Sequence, residues 1–360
     1  MSLAGSPDLV QLLTPEGVLV EHHEHALALT DDQWRSRYRD LVLVRRLDTE
    51  ATALQRQGEL GLWAPCLGQE AAQVGAARAT RPTDRIFPTY REHGMAHVRG
   101  VDPLALLALF RGTTLGGWDP AEHGLSLYTI VIGDQTLHAV GYAMGIQRDG
   151  TDEAVLVCFG DGASSQGDVA EAFVYAAVND APVVFFCQNN QWAISEPLQR
   201  QTRIPLYQRA AGYGFPGVRV DGNDVLAVEA VVRWALERAR AGHGPTLVEA
   251  FTYRMGAHTT SDDPTRYRTT AQGEAWRLKD PIERVRAHIA RTGIADDAFL
   301  AQVGAEAEDL AVAMRTGCRA LPDPQPAAMF DHVYATRHPQ VEREREWLTA
   351  YLAGFERAGG

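Results

Sequence analysis

Two short motifs carry the residues whose types and spacing point to chemistry. Gly160-Asp161-Gly162 follows an apolar run, AVLVCF over 154–159. Twenty-six residues later, Asn189-Asn190 follows a second run, VVFFCQ over 183–188. Glycines let a chain turn sharply and approach a ligand closely. A helix expected over 168–179 would turn its free N–H groups and positive end toward a phosphate. Asp161 would repel a diphosphate unless a cation stood between them. Asp161 and the amide oxygen of Asn190 are hard oxygen donors, the kind magnesium takes while it also binds phosphate oxygens. Together the motifs read as a magnesium-bridged diphosphate site.

A dinucleotide site is the competing reading, and it fits less well. It calls for G-x-G-x-x-G after the first strand and an acid about 20 residues on for the ribose. Here the third glycine is displaced to Gly167, and Gln188, Asn189 and Asn190 stand where the acid belongs.

The surrounding pattern supplies elements to position these motifs. Both apolar runs have the continuity of parallel strands buried on two faces. Short strands are expected at 218–220 and 246–250, with helices over 168–179 and 224–241 between strands. That alternation predicts an α/β fold with a parallel sheet, whose ligands sit at the carboxyl ends of the strands. Further helices are expected at 33–57, 68–79, 103–110, 135–147, between 272 and 320, and at 341–355. Residues 1–30 read as a polar N-terminal arm, 31–320 as the diphosphate-binding domain, and 321–360 as a C-terminal linker and helix.

Composition removes several chemistries. The 360 residues carry a formal charge of −12, which argues against nucleic acid as a partner. Lys279 is the only lysine among 34 basic residues. It lies in a polar segment that reads as a solvated helix, so P-loop and Schiff-base chemistry have no suitable amine. Cys66, Cys158, Cys187 and Cys318 form no C-x-x-C pair. His22, His23 and His25 read as solvated residues of the arm. His93 and His97 lack the glutamate of H-E-x-x-H, so no zinc site is assigned. No signal peptide or membrane span is expected, and reduced thiols in a cytoplasmic protein are the default.

With its two motifs placed on strand ends, the chain resembles the alpha subunit of the thiamine-diphosphate-dependent first component of 2-oxo acid dehydrogenase complexes. The likeness runs from about residue 10 to 350. It includes Arg56-Gln57-Gly58 through Gly68-Gln69-Glu70-Ala71, Tyr90-Arg91-Glu92, Ile132-Gly133-Asp134-Gln135, Ala193-Ile194-Ser195 and Val220-Asp221-Gly222. The loop from Tyr253 to Pro264, with His258, completes it. The pyruvate type is the nearer resemblance, the branched-chain type the next. The acetoin dehydrogenase alpha subunit is an alternative with the same architecture, and a non-catalytic scaffold subunit is a third reading.

The resemblance implies a thiamine-diphosphate-binding fold with helical N- and C-terminal extensions, acting in oxidative decarboxylation with acyl transfer to a lipoyl group on the second component. It implies that Asp161, the Asn190 side chain and the Trp192 carbonyl ligate Mg2+. Trp192 replaces the tyrosine or phenylalanine of relatives, a change that a carbonyl ligand tolerates. Tyr90, Arg91 and His258 would contact the diphosphate, with N–H groups from Gly162 and Ala163. Ile132 would support the bent cofactor, and the backbone near Ile130 would meet its aminopyrimidine. His258 would also lie beside the reaction path. Gln188 stands where branched-chain relatives have arginine, which favours the pyruvate type. Thr259 and Thr260 sit where mitochondrial relatives are phosphorylated, and no regulatory role is assigned to them. The family's proton-accepting glutamate lies on a separate pyrimidine-binding domain. A single α/β unit therefore implies a beta subunit in an α2β2 heterotetramer.

Overall fold

The computed structural model describes residues 9–358. Its core is a six-stranded, wholly parallel sheet. The strands are β1 (Leu9–Val10), β2 (Arg85–Phe87), β3 (Val155–Gly160), β4 (Val183–Asn189), β5 (Gly217–Asp221) and β6 (Thr246–Phe251). Their order is β1-β5-β6-β4-β3-β2. Ten helices of six residues or more matter here: α1 (Asp31–Arg56), α2 (Glu70–Ala79), α3 (His93–Val98), α4 (Pro103–Arg111), α5 (Asp134–Asp149), α6 (Gly167–Val178), α7 (Val225–Arg240), α8 (Pro281–Arg291), α9 (Asp297–Ala320) and α10 (Pro339–Ala358). The expected α/β fold with a central parallel sheet is therefore observed.

The apolar runs are continuous because both faces of the sheet are covered. Leu156, Cys158, Val184, Phe186, Val248 and Ala250 face one core, shared with α1, α2 and α7. The alternate residues Val155, Val157, Phe159, Val183, Phe185 and Cys187 face the other, shared with α5 and α6. The covering helices thus change face between the β3–β4 and β5–β6 crossovers. At such a switch an open parallel sheet leaves a crevice outside its carboxyl ends. Asp161 leaves β3 there, Asn190 leaves β4, and Arg254 follows β6.

Several local readings are revised. Residues 9–20 do not behave as a free polar arm. Leu9–Val10 forms the edge strand beside β5, and Leu12 and Leu13 are buried. Asp224 explains the attachment. Its Oδ1 caps α7 at Leu226 and Ala227, while its Oδ2 accepts from the N–H groups of Leu12 and Leu13 at 2.7 and 2.6 Å. Residues 1–8 of the expected arm and 359–360 of the C-terminal segment lie outside the described residues. Lys279 is not helical: Asp280 caps α8 with Pro281 in its first turn, and the Lys279 ammonium lies 4.8 Å from the Trp276 ring centre. His25 is buried edge-on against Trp234 rather than solvated. No cluster of three or more His, Cys, Asp or Glu able to hold a metal occurs among the described residues. No helix among them is long and apolar enough to cross a membrane.

One loop connects the helical layer to the sheet's carboxyl end. Between α1 and α2, successive carbonyls each hold a different element. Trp63 O accepts from Thr260 N, Ala64 O from the His93 ring, Pro65 O from Arg91, Leu67 O from Met255 N and Gly68 O from the Thr252 hydroxyl. Buried Asp48 anchors the loop from below, accepting from Trp63 Nε1 at 2.8 Å and Cys66 N at 3.0 Å. Gly68 has φ +91°, and an added Cβ would stand 2.4 Å from the Tyr253 carbonyl oxygen. Only glycine suits that position. Gly68→Ala is expected to lower stability by about 1–3 kcal/mol, measurable as a reduced chemical-denaturation midpoint; an unchanged midpoint contradicts this account of the loop.

Candidate active site at the carboxyl ends of the strands

A cavity of about 300 Å³ opens over the ends of β3 and β4. It gathers residues from far apart in the chain: Tyr90, Arg91, Ile132, Asp161, Gly162, Ala163, Asn190, Trp192 and His258 all line it. Ile130 does not. It is exposed and lies outside the lining, while Thr129 and Val131 on either side take part. The cavity also contains residues that the motif reading left without a role: Gln69, Glu92, Gln188 and Arg254.

Local structure sets each position. β3 ends at Gly160, and the chain passes through Asp161 into a 3-10 turn, Gly162–Ser165, before α6. An added Cβ on Gly162 would come within 2.7 Å of Ala193 Cβ, so the two strand ends approach closely there. After β4 the chain turns through Gln191 and Ile194, non-glycine residues with φ of 71° and 55°. Such φ values are uncommon, and a β-branched residue there is strained. Between them Trp192–Ala193 pairs antiparallel with Glu196–Pro197. This turn places Trp192 in the cavity lining with Asp161 and Asn190.

Asp161 is buried, and burial pushes its carboxyl up to about 6. Asn190 is oriented by Gln69, whose Oε1 accepts from Asn190 Nδ2 at 3.0 Å. That contact uses the amide nitrogen and leaves Asn190 Oδ1 as the oxygen, which accepts from Trp192 N at 3.3 Å. The Trp192 carbonyl accepts from Arg254 Nη1 at 2.8 Å. The donor set is thus a buried carboxylate, an amide oxygen and a carbonyl oxygen. All are hard ligands, and the set suits a cation that also binds phosphate.

Two guanidiniums line the same cavity. Arg91 and Arg254 are both buried, and neither forms a salt bridge with a described carboxylate. Arg91 donates to the carbonyls of Pro65 and His258 at 2.7 and 2.9 Å. Arg254 donates to the carbonyls of Trp192 and Ile194 at 2.8 and 2.7 Å, and to the Tyr267 hydroxyl at 3.2 Å. Burial, with Arg91 adding to it, lowers the Arg254 guanidinium to about 10. Carbonyl dipoles hold both cations in place but do not neutralise them. The site is therefore arranged for an anion.

His258 is fixed between these cations. Its Nδ1 lies 3.2 Å from Arg91 Nη2 and 3.4 Å from Arg254 Nη1. Arginine only donates, so Nδ1 must accept and the ring proton is assigned to Nε2. Burial and then the charges of Arg91 and Arg254 lower His258 to about 3. The imidazole is neutral at ordinary pH and serves as a donor through Nε2. Tyr90 stands edge-on to this ring with centroids 6.2 Å apart. Glu92 is also buried, and burial raises it; it accepts from the Thr89 hydroxyl and from Gln188 Nε2, each at 2.6 Å.

The fold and site define a class: a parallel α/β protein whose strand ends open on a cavity lined by carboxylate-free guanidiniums and hard oxygen donors. Comparison with known proteins places it further. The sequence model of the dehydrogenase E1 component matches residues 38–313, and the chain belongs to that family. It is 47% identical over 345 residues to a 3-methyl-2-oxobutanoate dehydrogenase subunit alpha of Mycobacterium tuberculosis H37Rv, covering 96% of this chain and 94% of the relative. It is 38% identical over 326 residues to the pyruvate dehydrogenase E1 component subunit alpha of Acholeplasma laidlawii, covering 89% and 93%. Against the Staphylococcus aureus Mu50 protein of the same name it is 40% identical over 290 residues, covering 80% and 78%.

Gln69 and Arg254 could not be assigned from their types alone. Gln69 lies within a quoted motif and Arg254 beside His258, but their partners are 121 and 62 residues away. Because His258 lies below its unfolded value of about 6.5, its neutral state favours folding, and that contribution is lost as pH falls from about 6.5 toward 3. We expect the His258 15N shifts of histidine-labelled, cofactor-free protein to stay those of a neutral Nε2–H ring between pH 8 and 5. Arg91→Gln should raise its pKa. Titration of His258 near 6.5 in the unsubstituted protein would refute the assignment.

Proposed function

We propose that this chain is the alpha subunit of the first component of a 2-oxo acid dehydrogenase complex, and that its cavity holds thiamine diphosphate with Mg2+. One observation carries the reading: two buried guanidiniums without carboxylate partners share one cavity with a buried carboxylate, an amide oxygen and a carbonyl oxygen, the last accepting from Arg254. Arg91, Arg254, Tyr90 and His258 would take the diphosphate, with the N–H groups of Gly162 and Ala163. Asp161, Asn190 Oδ1 and the Trp192 carbonyl would take the cation. Ile132 lies on the cavity wall, where it would pack against the cofactor.

When bound, thiamine diphosphate supplies the electron-accepting ring needed for loss of carbon dioxide from a 2-oxo acid. The chain's residues bind, orient and donate. His258 Nε2 holds a proton toward the cavity, where it can donate to a substrate or phosphate oxygen. The acyl group then passes to a lipoyl group on the second component.

The site is half of an active site. A single parallel α/β sheet is present among the described residues, beside a hairpin of two two-residue strands. Val131, Ile132 and Ile194 line the cavity yet are exposed, and Tyr142, Val174, Tyr175 and Val178 are exposed on the adjoining helices α5 and α6. An apolar face of this kind marks a protein interface. A beta subunit covering it, in an α2β2 heterotetramer, would supply the missing proton-accepting glutamate.

For the acyl group, the 47% identity across nearly the whole of both chains favours a branched-chain 2-oxo acid. Gln188 supports a second reading, pyruvate, because branched-chain relatives carry arginine there. Co-purification with a beta subunit, followed by kcat/KM for 3-methyl-2-oxobutanoate, pyruvate and acetoin, decides between these and the acetoin alternative. The branched substrate is expected to lead, with no turnover by this chain alone. Asp161→Ala in the complex should reduce kcat/KM by about a hundredfold even with excess cofactor; retention of activity would support the scaffold reading instead. Stabilisation by NAD without a metal requirement would favour a dinucleotide enzyme.

A further inference from the structure

Gln201 ends the short helix Leu198–Gln201 and belongs to none of the motifs above. Its side chain reaches back to the end of β3. Nε2 donates to Asp161 Oδ2 at 2.8 Å and to the Glu196 carbonyl at 3.0 Å. Its Oε1 is buried without a hydrogen-bond partner. Among the described residues no other side chain donates to the Asp161 carboxylate.

The proposed cation ligands come from two strand ends. Asp161 follows β3, whereas Asn190 and Trp192 follow β4. Asn190 has its own clamp in Gln69, and the Trp192 carbonyl is met by Arg254. Asp161, too, is aligned from outside its own strand, by Gln201. The chain after Trp192 makes this alignment. It folds back through the pairing of Trp192–Ala193 with Glu196–Pro197, closed by Leu198 N donating to the Gln191 carbonyl at 3.0 Å. That return places Gln201 against Asp161. The segment carrying the carbonyl ligand therefore also carries the group that grips the carboxylate. The Gly162–Ala193 approach leaves little room for one strand end to shift without the other.

We propose that Gln201 is a positioning residue for the cation site. By holding Asp161 Oδ2 it leaves Oδ1 as the oxygen available to the cation, and it locks the two strand ends into one ligand set. The proposal rests on the reading of this cavity as a diphosphate and cation site. An acceptor held by an amide donor is oriented before the cation arrives, which is how groups behind metal ligands raise affinity.

The test uses the full chain purified with its partner subunit. Free Mn2+ is followed by electron paramagnetic resonance during titration in saturating thiamine diphosphate. Gln201→Leu keeps similar bulk and removes the donor. It is expected to weaken Mn2+ binding by about tenfold or more. Binding of inorganic pyrophosphate without metal, which reports on Arg91 and Arg254, should be unchanged, as should the thermal midpoint of the metal-free protein. Mn2+ binding equal to or tighter than that of the unsubstituted protein overturns the proposal. So does a parallel loss of pyrophosphate binding, which would mean general disruption. Asp161→Ala in the same titration should abolish tight Mn2+ binding. If it does not, the cation-site reading itself fails, a result distinct from a failure of Gln201→Leu alone.

Discussion

Two buried guanidiniums with no carboxylate to neutralise them set the terms for the rest of the molecule. An uncompensated cation in a protein interior costs several kcal/mol. Arg91 and Arg254 are nevertheless kept there by backbone carbonyls from Pro65, His258, Trp192 and Ile194. Presenting those carbonyls needs irregular chain on both sides of the cavity. The loop between α1 and α2, stretched over the buried carboxyl of Asp48, supplies one side. The strained turn after β4 supplies the other. Both would be poor choices for stability alone, and both are explained if the chain is built to receive an anion.

The composition takes on a different meaning in this light. A net charge of −12 is spread over a surface where many arginines are already paired, as in Arg315 with Glu50 and Arg46 with Glu308. Deeper arginines such as Arg37 and Arg284 also have acids, Glu229 and Asp221. Arg91 and Arg254 stand apart from that pattern. Attraction for a diphosphate is therefore local, and the overall sign of the protein is no obstacle. An almost lysine-free chain can make such a site because guanidinium stays charged at a burial where an ammonium would tend to lose its proton.

How much could be read from sequence depended on the reach of each interaction. β3 and β4 announce themselves because burial on both faces leaves a continuous apolar run, which Glu249 interrupts in β6. β1 and β2, with two and three residues, have no periodicity to detect and exist because a neighbouring strand accepts them. Asp161 and Asn190 are legible since each directly follows a strand. Trp192 enters only through the family resemblance. Gln69 and Arg254 become functional only through partners distant in sequence, and no local pattern distinguishes them from ordinary surface residues. The turn around Ile130 carries no such pattern: Thr129, Val131 and Ile132 line the cavity while Ile130 does not, although Val131 and Ile132 are themselves exposed.

The division of labour between this chain and a partner follows from the acids in the cavity. Only Glu92 and Asp161 line it. Glu92 is engaged by Thr89 and Gln188, in a position that braces β4 against the turn before α3. Asp161 faces the other strand end and the oxygen donors suited to a cation. His258, the remaining titratable group near the open side, is held by two arginines in the tautomer that donates from Nε2, and those same charges suppress its protonation. A base must accept a proton, whereas Glu92 already accepts hydrogen bonds, Asp161 stands among the oxygen donors suited to a cation, and His258 is held in the tautomer that donates from Nε2. A proton acceptor supplied by a partner subunit would complete the site as proposed, and the exposed apolar face beside the cavity is where such a side chain would enter.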